Sequence, residues 1–372
     1  MHQHIRKDNF EGSYYVKLSS PSCPLFGRCG GCQLMHLSYA QQLVWKRDRI
    51  VTAFQRAGLT ADILACEPSP QQFAYRNKIQ LPYQSGRLGL YALHSHELVP
   101  IEHCPVHCPL GEKAFHHVRK LLKQPLRYLL IKTAVYSEQV LITLVTHTDI
   151  DLTLFAKQLM RAMPEIRGVV QNINNSPGNV ILSDQFRTLA GEGTIEETLL
   201  GLSFQVSPAS FFQINSPQAE RLYQTAIDWA ALQGHETVLD AFCGVGTLSL
   251  LFAKQAKDVI GIECVPQAIA NAKENAIRNN ISNAQFHCAR AEEFSYKDCD
   301  LILLNPPRKG CDPRLLNTLL PRPILYISCD PDSLARDLAT LKGHRIQRVQ
   351  PFDMFPQTMH VECLVQLAPT TI

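Results

Sequence analysis

The 372-residue sequence has no apolar run of membrane-spanning length, and its first residues, Met1-His-Gln-His-Ile-Arg-Lys7, lack the apolar core of a secretory signal. A cytoplasmic protein with no membrane partner is therefore expected. Long Lys/Arg runs are missing too. The 36 basic and 33 acidic residues leave a net charge of +3, which permits a polyanionic partner without identifying one. No internal repeat or low-complexity tract occurs, and the three-glycine dinucleotide fingerprint is absent.

Cysteine, by contrast, is plentiful, with thirteen in the chain. In a reducing compartment disulfides are not the default, so clustered cysteines point to metal or catalysis. Cys23-x5-Cys29-x2-Cys32, with Gly30 and Gly31 allowing a tight turn, and a distant Cys104 supply four thiolates. That is enough for zinc or for an iron–sulfur cluster, and spacing does not choose between them.

Residues 23–205 read as an α+β domain. A helix from about Ser38 to Ala57 has an apolar face of Leu43, Val44, Ile50, Val51 and Phe54, with Lys46, Arg47 and Arg49 on its polar side. Short strands fill residues 73–102, a hairpin turns at Ser137-Glu138, a helix covers Asp151 to Met163, and strands return over 167–206. Residues 1–22 form a short front segment with one strand at most, from Tyr14 to Leu18.

Residues 206–372 change character. Ser216-Pro217 opens a helix, and strands then alternate with helices from Thr237 to Leu341. That alternation predicts an α/β domain, a Rossmann-like, doubly wound parallel sheet covered on both faces. Arg345–Phe352 and Val361–Gln366 add an antiparallel pair at its edge.

Three stretches of this second domain carry chemistry. The run Val238-Leu-Asp240-Ala-Phe242-Cys-Gly244-Val-Gly246-Thr247 is a strand, a glycine turn and a helix start, where backbone N–H groups meet ligands. Glu263 closes the next strand 23 positions after Asp240, the spacing of an acid that binds both ribose hydroxyls. Without the pyrophosphate fingerprint, a nucleoside-type cofactor such as S-adenosylmethionine fits best. Asn305-Pro-Pro-Arg308 follows another apolar strand, its prolines stiffening the loop. Ile324 to Asp330 places Cys329 at the carboxyl end of a buried strand, where a cysteine is either a nucleophile or a small core residue.

Asn305-Pro-Pro-Arg-Lys-Gly310, Leu325-Tyr-Ile-Ser-Cys329-Asp, His360-Val-Glu362 and Ser210-Phe-Phe-Gln213-Ile-Asn215 together resemble the uracil-5-methyltransferase family acting on RNA. The similarity runs from Cys23 onward and is strongest to the 23S ribosomal RNA branch that carries an iron–sulfur cluster. The resemblance implies a class I methyltransferase domain, with S-adenosylmethionine held by Gln213, Phe242, Glu263 and Asn305. It implies Cys329 as a nucleophile that adds to C6 of a flipped uridine, Glu362 as the base, and a [4Fe–4S] cluster on Cys23, Cys29, Cys32 and Cys104.

Two departures stand out. Asn305 replaces the aspartate of many members, and Arg290, Glu292 and Glu293 leave adenine recognition open. The 22 residues before Cys23 are too few for the small β-barrel RNA-binding domain that some members carry in front. RNA contact is then expected on the middle domain and the catalytic cleft, with Arg76, Asn77 and Lys78 as backbone binders, and the protein is expected to be a monomer. Two other readings compete. A transfer-RNA enzyme with the same chemistry is disfavoured by the knuckle, which the resemblance places in the ribosomal branch. A non-catalytic RNA-binding or chaperone protein is disfavoured by the intact Cys329 and Glu362.

Overall fold

The computed structural model describes residues 20–319 and 321–370, so the strand expected at Tyr14 to Leu18 lies outside the described residues. No described helix is long and apolar enough to cross a membrane.

The middle of the chain builds one sheet from β1 (Lys78–Gln84), β2 (Arg87–Tyr91), β3 (Leu98–Pro100), β4 (Tyr128–Ala134), β5 (Gln139–Thr146), β6 (Ile166–Ile173) and β7 (Phe186–Gly191), in the order β3-β2-β1-β4-β5-β6-β7. The expected hairpin is β4–β5, and Glu138 takes a positive φ of 53° at its turn. Only β5 and β6 run parallel, because α3 (Thr153–Ala162) crosses over between them. Together with α2 (Pro109–Leu121), α3 buries Phe115, Val118, Phe155 and Leu159 against the sheet.

A hairpin of β8 (Ile195–Leu199) and β9 (Leu202–Val206) then joins two cores. Its base, Ile195 and Val206, packs with Leu141 and Val170 of the middle sheet. Its tip, Leu199, Leu202 and Phe204, packs into the second sheet's core.

The second sheet comprises β10 (Thr237–Asp240), β11 (Asp258–Glu263), β12 (Ala284–Cys288), β13 (Leu301–Leu304), β14 (Ile324–Ser328), β15 (His344–Phe352) and β16 (Glu362–Pro369), in the order β12-β11-β10-β13-β14-β16-β15. The first five are parallel. Their apolar runs, such as Leu301-Ile-Leu-Leu304, are buried throughout, as strands covered on both faces must be. The β15–β16 pair is antiparallel, with β15 outermost. Its helices are α4 (Ser216–Ala230), α5 (Thr247–Ala253), α6 (Pro266–Arg278), α7 (Pro313–Thr318) and α8 (Pro331–Thr340).

The first helix, α1 (Tyr39–Arg56), begins as expected, with Ser38 and Gln41 forming a capping box. Its faces differ from the sequence expectation. Val44 is exposed, while Gln42, Lys46, Ile50, Ala53 and Phe54 are buried. The helix packs on the second sheet, with Ile50, Ala53 and Phe54 against Leu334, Leu338 and Val349. Lys46 is fully buried because its ammonium meets Asp353, also fully buried, and donates to the Phe355 carbonyl (2.9 Å). Burial pulls the Lys46 pKa down and pushes Asp353 up, and their mutual attraction opposes both shifts. Breaking such a pair leaves a charge buried alone, so Lys46→Met is expected to destabilise the fold by about 3–5 kcal/mol. Lys46→Met/Asp353→Asn is expected to recover most of that loss in denaturant unfolding. Equal losses in the single and double variants would show that the stranded Asp353 charge is not the source of the loss.

Candidate active site

The order of the second sheet reverses between β10 and β13, and ligands of open α/β sheets sit outside the strand ends at such a point. The turn after β10 is fixed by Asp240, which is buried and accepts from Ser249 Oγ (2.7 Å) and the Phe242 N–H (3.2 Å). Burial raises its pKa to about 6. Gly244 holds φ at 55°, and a Cβ there would meet nothing within 4 Å, so this backbone borders open space. Phe242 packs half-buried beside it. On the neighbouring strand, Glu263 Oε1 accepts from the Val265 N–H (3.0 Å) and Cys264 Sγ (3.3 Å), which leaves Oε2 without a partner among the described residues. Asn305 is half-buried at the end of β13, and its side-chain amide bonds to no described residue.

Gln213 reaches the same region from the linker between β9 and α4. Its carbonyl accepts from Asn77 Nδ2 (2.9 Å), and its side chain bonds Tyr223. Asn77 also donates to Ser216 Oγ (2.9 Å), so this buried residue staples the two sheets together rather than facing RNA phosphates as the sequence suggested. Nothing local to Asn77 announces those partners, which lie 136 and 139 positions away. Of the aromatic pair, Phe212 packs against Phe204, whereas Phe211 is 70% exposed.

The cysteine and the carboxylate singled out by the sequence meet between β14 and β16. Ser328 pairs with Cys363 as the last step of the antiparallel ladder, so Cys329 and Glu362 are the next residue on each side of that pair, and the Glu362 charge acts on the Cys329 thiol. Cys329 is half-buried; burial and then the Glu362 charge raise its thiol to about 11, against a lowering pull from Arg308. Glu362 is only 3% exposed, and burial lifts its carboxyl to about 8 against a lowering pull from Arg308. His360 is held down to about 4 by burial and by Arg308, Arg49, Lys46 and Arg76.

Arg308, quoted in a motif but given no role by the sequence, thus acts on both groups. Its loop is anchored from α8. The Arg336 guanidinium donates to the Lys309 carbonyl (2.7 Å), and Asp337 accepts from the Cys311 N–H (2.7 Å) and Tyr326 Oη (2.7 Å). Gly310, at φ 77°, has no room for a Cβ, which would strike Arg336 and Asp337.

The cysteine knuckle forms a separate site. Cys23, Cys29, Cys32 and Cys104 line one cavity of about 130 Å³ with Met35, Arg76 and His103. Burial, then the proximity of the other three thiols, pushes Cys32 to about 12; burial also raises Cys104 to about 11. The Gly31 N–H points at Cys29 Sγ (3.4 Å). Cys108 is elsewhere, capping α2 beside Gly111 and Thr133. Glu292, one of the residues that leave adenine recognition open in the sequence, is occupied by Arg290 (2.7 Å) and Arg314 (3.1 Å).

A parallel sheet of this order, with a glycine turn after its first strand and an acid ending its second, defines a Rossmann-like methyltransferase fold. A family profile described as tRNA (uracil-5-)-methyltransferase matches residues 117–370. An uncharacterized RNA methyltransferase of Listeria innocua is 39% identical over 379 aligned positions, and one of Clostridium acetobutylicum is 36% identical over 383. Each alignment covers 93% of this chain and 83% of the relative. The crystal structure of Pyrococcus abyssi tRNA (uracil-54, C5)-methyltransferase in complex with S-adenosyl-L-homocysteine is similar at a TM-score of 0.77 and 29% identity, covering 91% of this chain and 86% of that one. The chain belongs to the tRNA (uracil-5-)-methyltransferase family, RNA methyltransferases that use S-adenosylmethionine to methylate uracil at C5.

Proposed function

We propose that the protein methylates C5 of a specific uridine in 23S ribosomal RNA through a covalent Cys329–uracil intermediate. The observation that carries the chemistry is that Cys329, just past the end of β14, lies within the electrostatic reach of the buried Glu362 that starts β16, both within the field of Arg308. S-adenosylmethionine supplies an electrophilic methyl group. Gln213, Phe242, Glu263 and Asn305 would hold it, a reading supported by the Glu263 oxygen and the Asn305 amide that have no partner among the described residues.

C5 of uracil is a weak nucleophile. Addition of the Cys329 thiolate to C6 shifts an electron pair toward C5, which then takes the methyl group. Glu362 accepts the C5 proton, the C5–C6 double bond re-forms, and the thiolate leaves. The target base has to leave its stack to reach a strand-end thiol, and Phe211, 70% exposed, is an aromatic face available to stack on a base.

The four knuckle cysteines fit a [4Fe–4S] cluster. Cys23, Cys29, Cys32 and Cys104 line one cavity of about 130 Å³, and four thiolates around such a space are the donor set such a cluster takes. Anaerobically purified protein is expected to absorb near 400 nm and to contain about four irons per chain. Stoichiometric zinc with no such absorbance would reject the cluster.

Methylation of transfer RNA is the second reading, favoured by the activity of the similar archaeal enzyme. Labelled-methyl transfer to 23S ribosomal RNA and to transfer RNA, both from cells lacking 5-methyluridine, separates the two. Incorporation into ribosomal RNA alone is expected, and incorporation into transfer RNA alone would replace the first reading by the second.

A further inference from the structure

Residues 353–361 connect β15 to β16 without helix or strand, yet the backbone is gripped from outside along most of its length. The Met354 carbonyl accepts from Asn215 Nδ2 (3.2 Å), Phe355 from Lys46 Nζ (2.9 Å) and Pro356 from Tyr75 Oη (2.9 Å). The Gln357 carbonyl accepts from the Gln33 and Leu34 N–H groups (3.0 and 2.9 Å), and Met359 from Arg49. Gln33 and Leu34 directly follow Cys32, so the knuckle touches this strap.

Gln357 is the centre of it. It is 2% exposed and holds φ at 72°, a left-handed conformation that a non-glycine residue keeps only where its surroundings over-determine it. Its N–H donates to Gln42 Oε1 (3.0 Å), its Oε1 accepts from Gln42 Nε2 (3.0 Å), and its Nε2 reaches the Gln72 carbonyl (3.4 Å). From there the chain is tied to its end. The Thr358 hydroxyl donates to the Phe355 carbonyl (2.8 Å) and accepts from the His360 N–H (3.2 Å), while the His360 ring stands edge-on to Phe355. Two residues later Glu362 enters the sheet.

We propose that Gln357 and Gln42 form a positioning latch that sets where Glu362 stands relative to Cys329, with the segment after Cys32 completing it. The inference rests on Cys329 as nucleophile and Glu362 as base. Cys329 directly follows β14, which no latch hydrogen bond reaches, whereas Glu362 follows the strap at the start of β16. Loosening the latch therefore spares adduct formation and slows proton removal and release.

The test compares wild type with Gln42→Leu, which removes the latch bonds, and Gln357→Gly, which tolerates the left-handed backbone while removing the side chain. Single-turnover reactions with labelled methyl donor measure covalently held methyl-RNA against released product. Thermal melting and S-adenosylhomocysteine binding are followed in parallel. Both variants are expected to release product at least about tenfold more slowly, since small misplacements of a reacting group carry costs of that order. The adduct fraction rises and cofactor affinity stays within about twofold, too small a change to register as lost binding energy. Gln42→Glu keeps the acceptor for the Gln357 N–H and recovers part of the rate. An unchanged partition, or equal loss of adduct and product with a lowered melting temperature, overturns the latch. A wild-type enzyme with no covalent intermediate overturns the underlying mechanism instead, and that result is read before any substitution is made.

Discussion

Cys329→Ala is expected to reduce methyl transfer to background, to eliminate RNA that survives denaturing electrophoresis on the protein, and to leave S-adenosylhomocysteine binding intact. The expectation follows from where the thiol stands. β14 is buried along its whole length and stops at Ser328, so Cys329 is the first residue past the strand, half-exposed rather than fully packed. The Asp330 side chain caps α8 by accepting from the Ser333 N–H (2.9 Å), which turns the chain sharply away and holds the thiol at the strand end. The residues proposed for the cofactor lie on other elements, so removing one sulfur does not disturb them.

At about 11, the thiol of the free enzyme is almost wholly protonated near neutrality. Arg308 is the cation placed to favour the thiolate, and neutralising Glu362 removes the charge that opposes it. Equilibrium titration of cofactor binding beside a labelled-methyl assay checks the prediction. Full activity, or an undiminished adduct, in the alanine variant would remove Cys329 from the mechanism.

How much of this was visible in the sequence depended on the range of the interactions. The second sheet was legible because parallel strands buried on both faces read as short apolar runs, such as Ile324 to Ile327, separated by amphipathic helices. The β10 turn, Glu263, Asn305, Cys329 and Glu362 all lie at strand ends, and strand ends are where such runs stop. Periodicity puts Lys46 on a polar face because it carries no information about a partner at Asp353, 307 positions away. Asn77 reads as an RNA binder for the same reason, its partners in the fold being Gln213 and Ser216. The 353–361 strap left no local pattern at all, since its carbonyls are satisfied by residues from Gln33 to Asn215. Arg308 stood in a recognisable motif, but its influence on two groups from separate strands exists only after folding.

Glu362→Gln is expected to trap the reaction after methylation. The amide keeps the shape and buried position of the carboxyl but accepts no proton, so the C5 proton stays, the C5–C6 double bond cannot re-form, and the thiolate cannot leave. Release should slow by about 10²–10⁴-fold, the usual contribution of a positioned base, while methylated RNA accumulates on the protein. Rapid turnover in this variant would assign the base elsewhere.

The wild-type release step carries a matching pH signature. Glu362 must be ionised to act, and burial holds its pKa near 8, so release should rise with pH and level off above 8. Stability moves the other way. The folded pKa is raised above its ordinary 4.5, so the folded state binds the proton more tightly than the unfolded chain. The stabilisation from that bound proton is complete below about pH 4.5 and is lost as pH climbs through about 8. The amide of the Glu362→Gln variant stays neutral throughout, so its stability advantage over wild type should grow across that window and reach a few kcal/mol above pH 8. Melting temperatures of the two proteins between pH 5 and 9 test this, and parallel curves would show that the carboxyl is not the buried acid described.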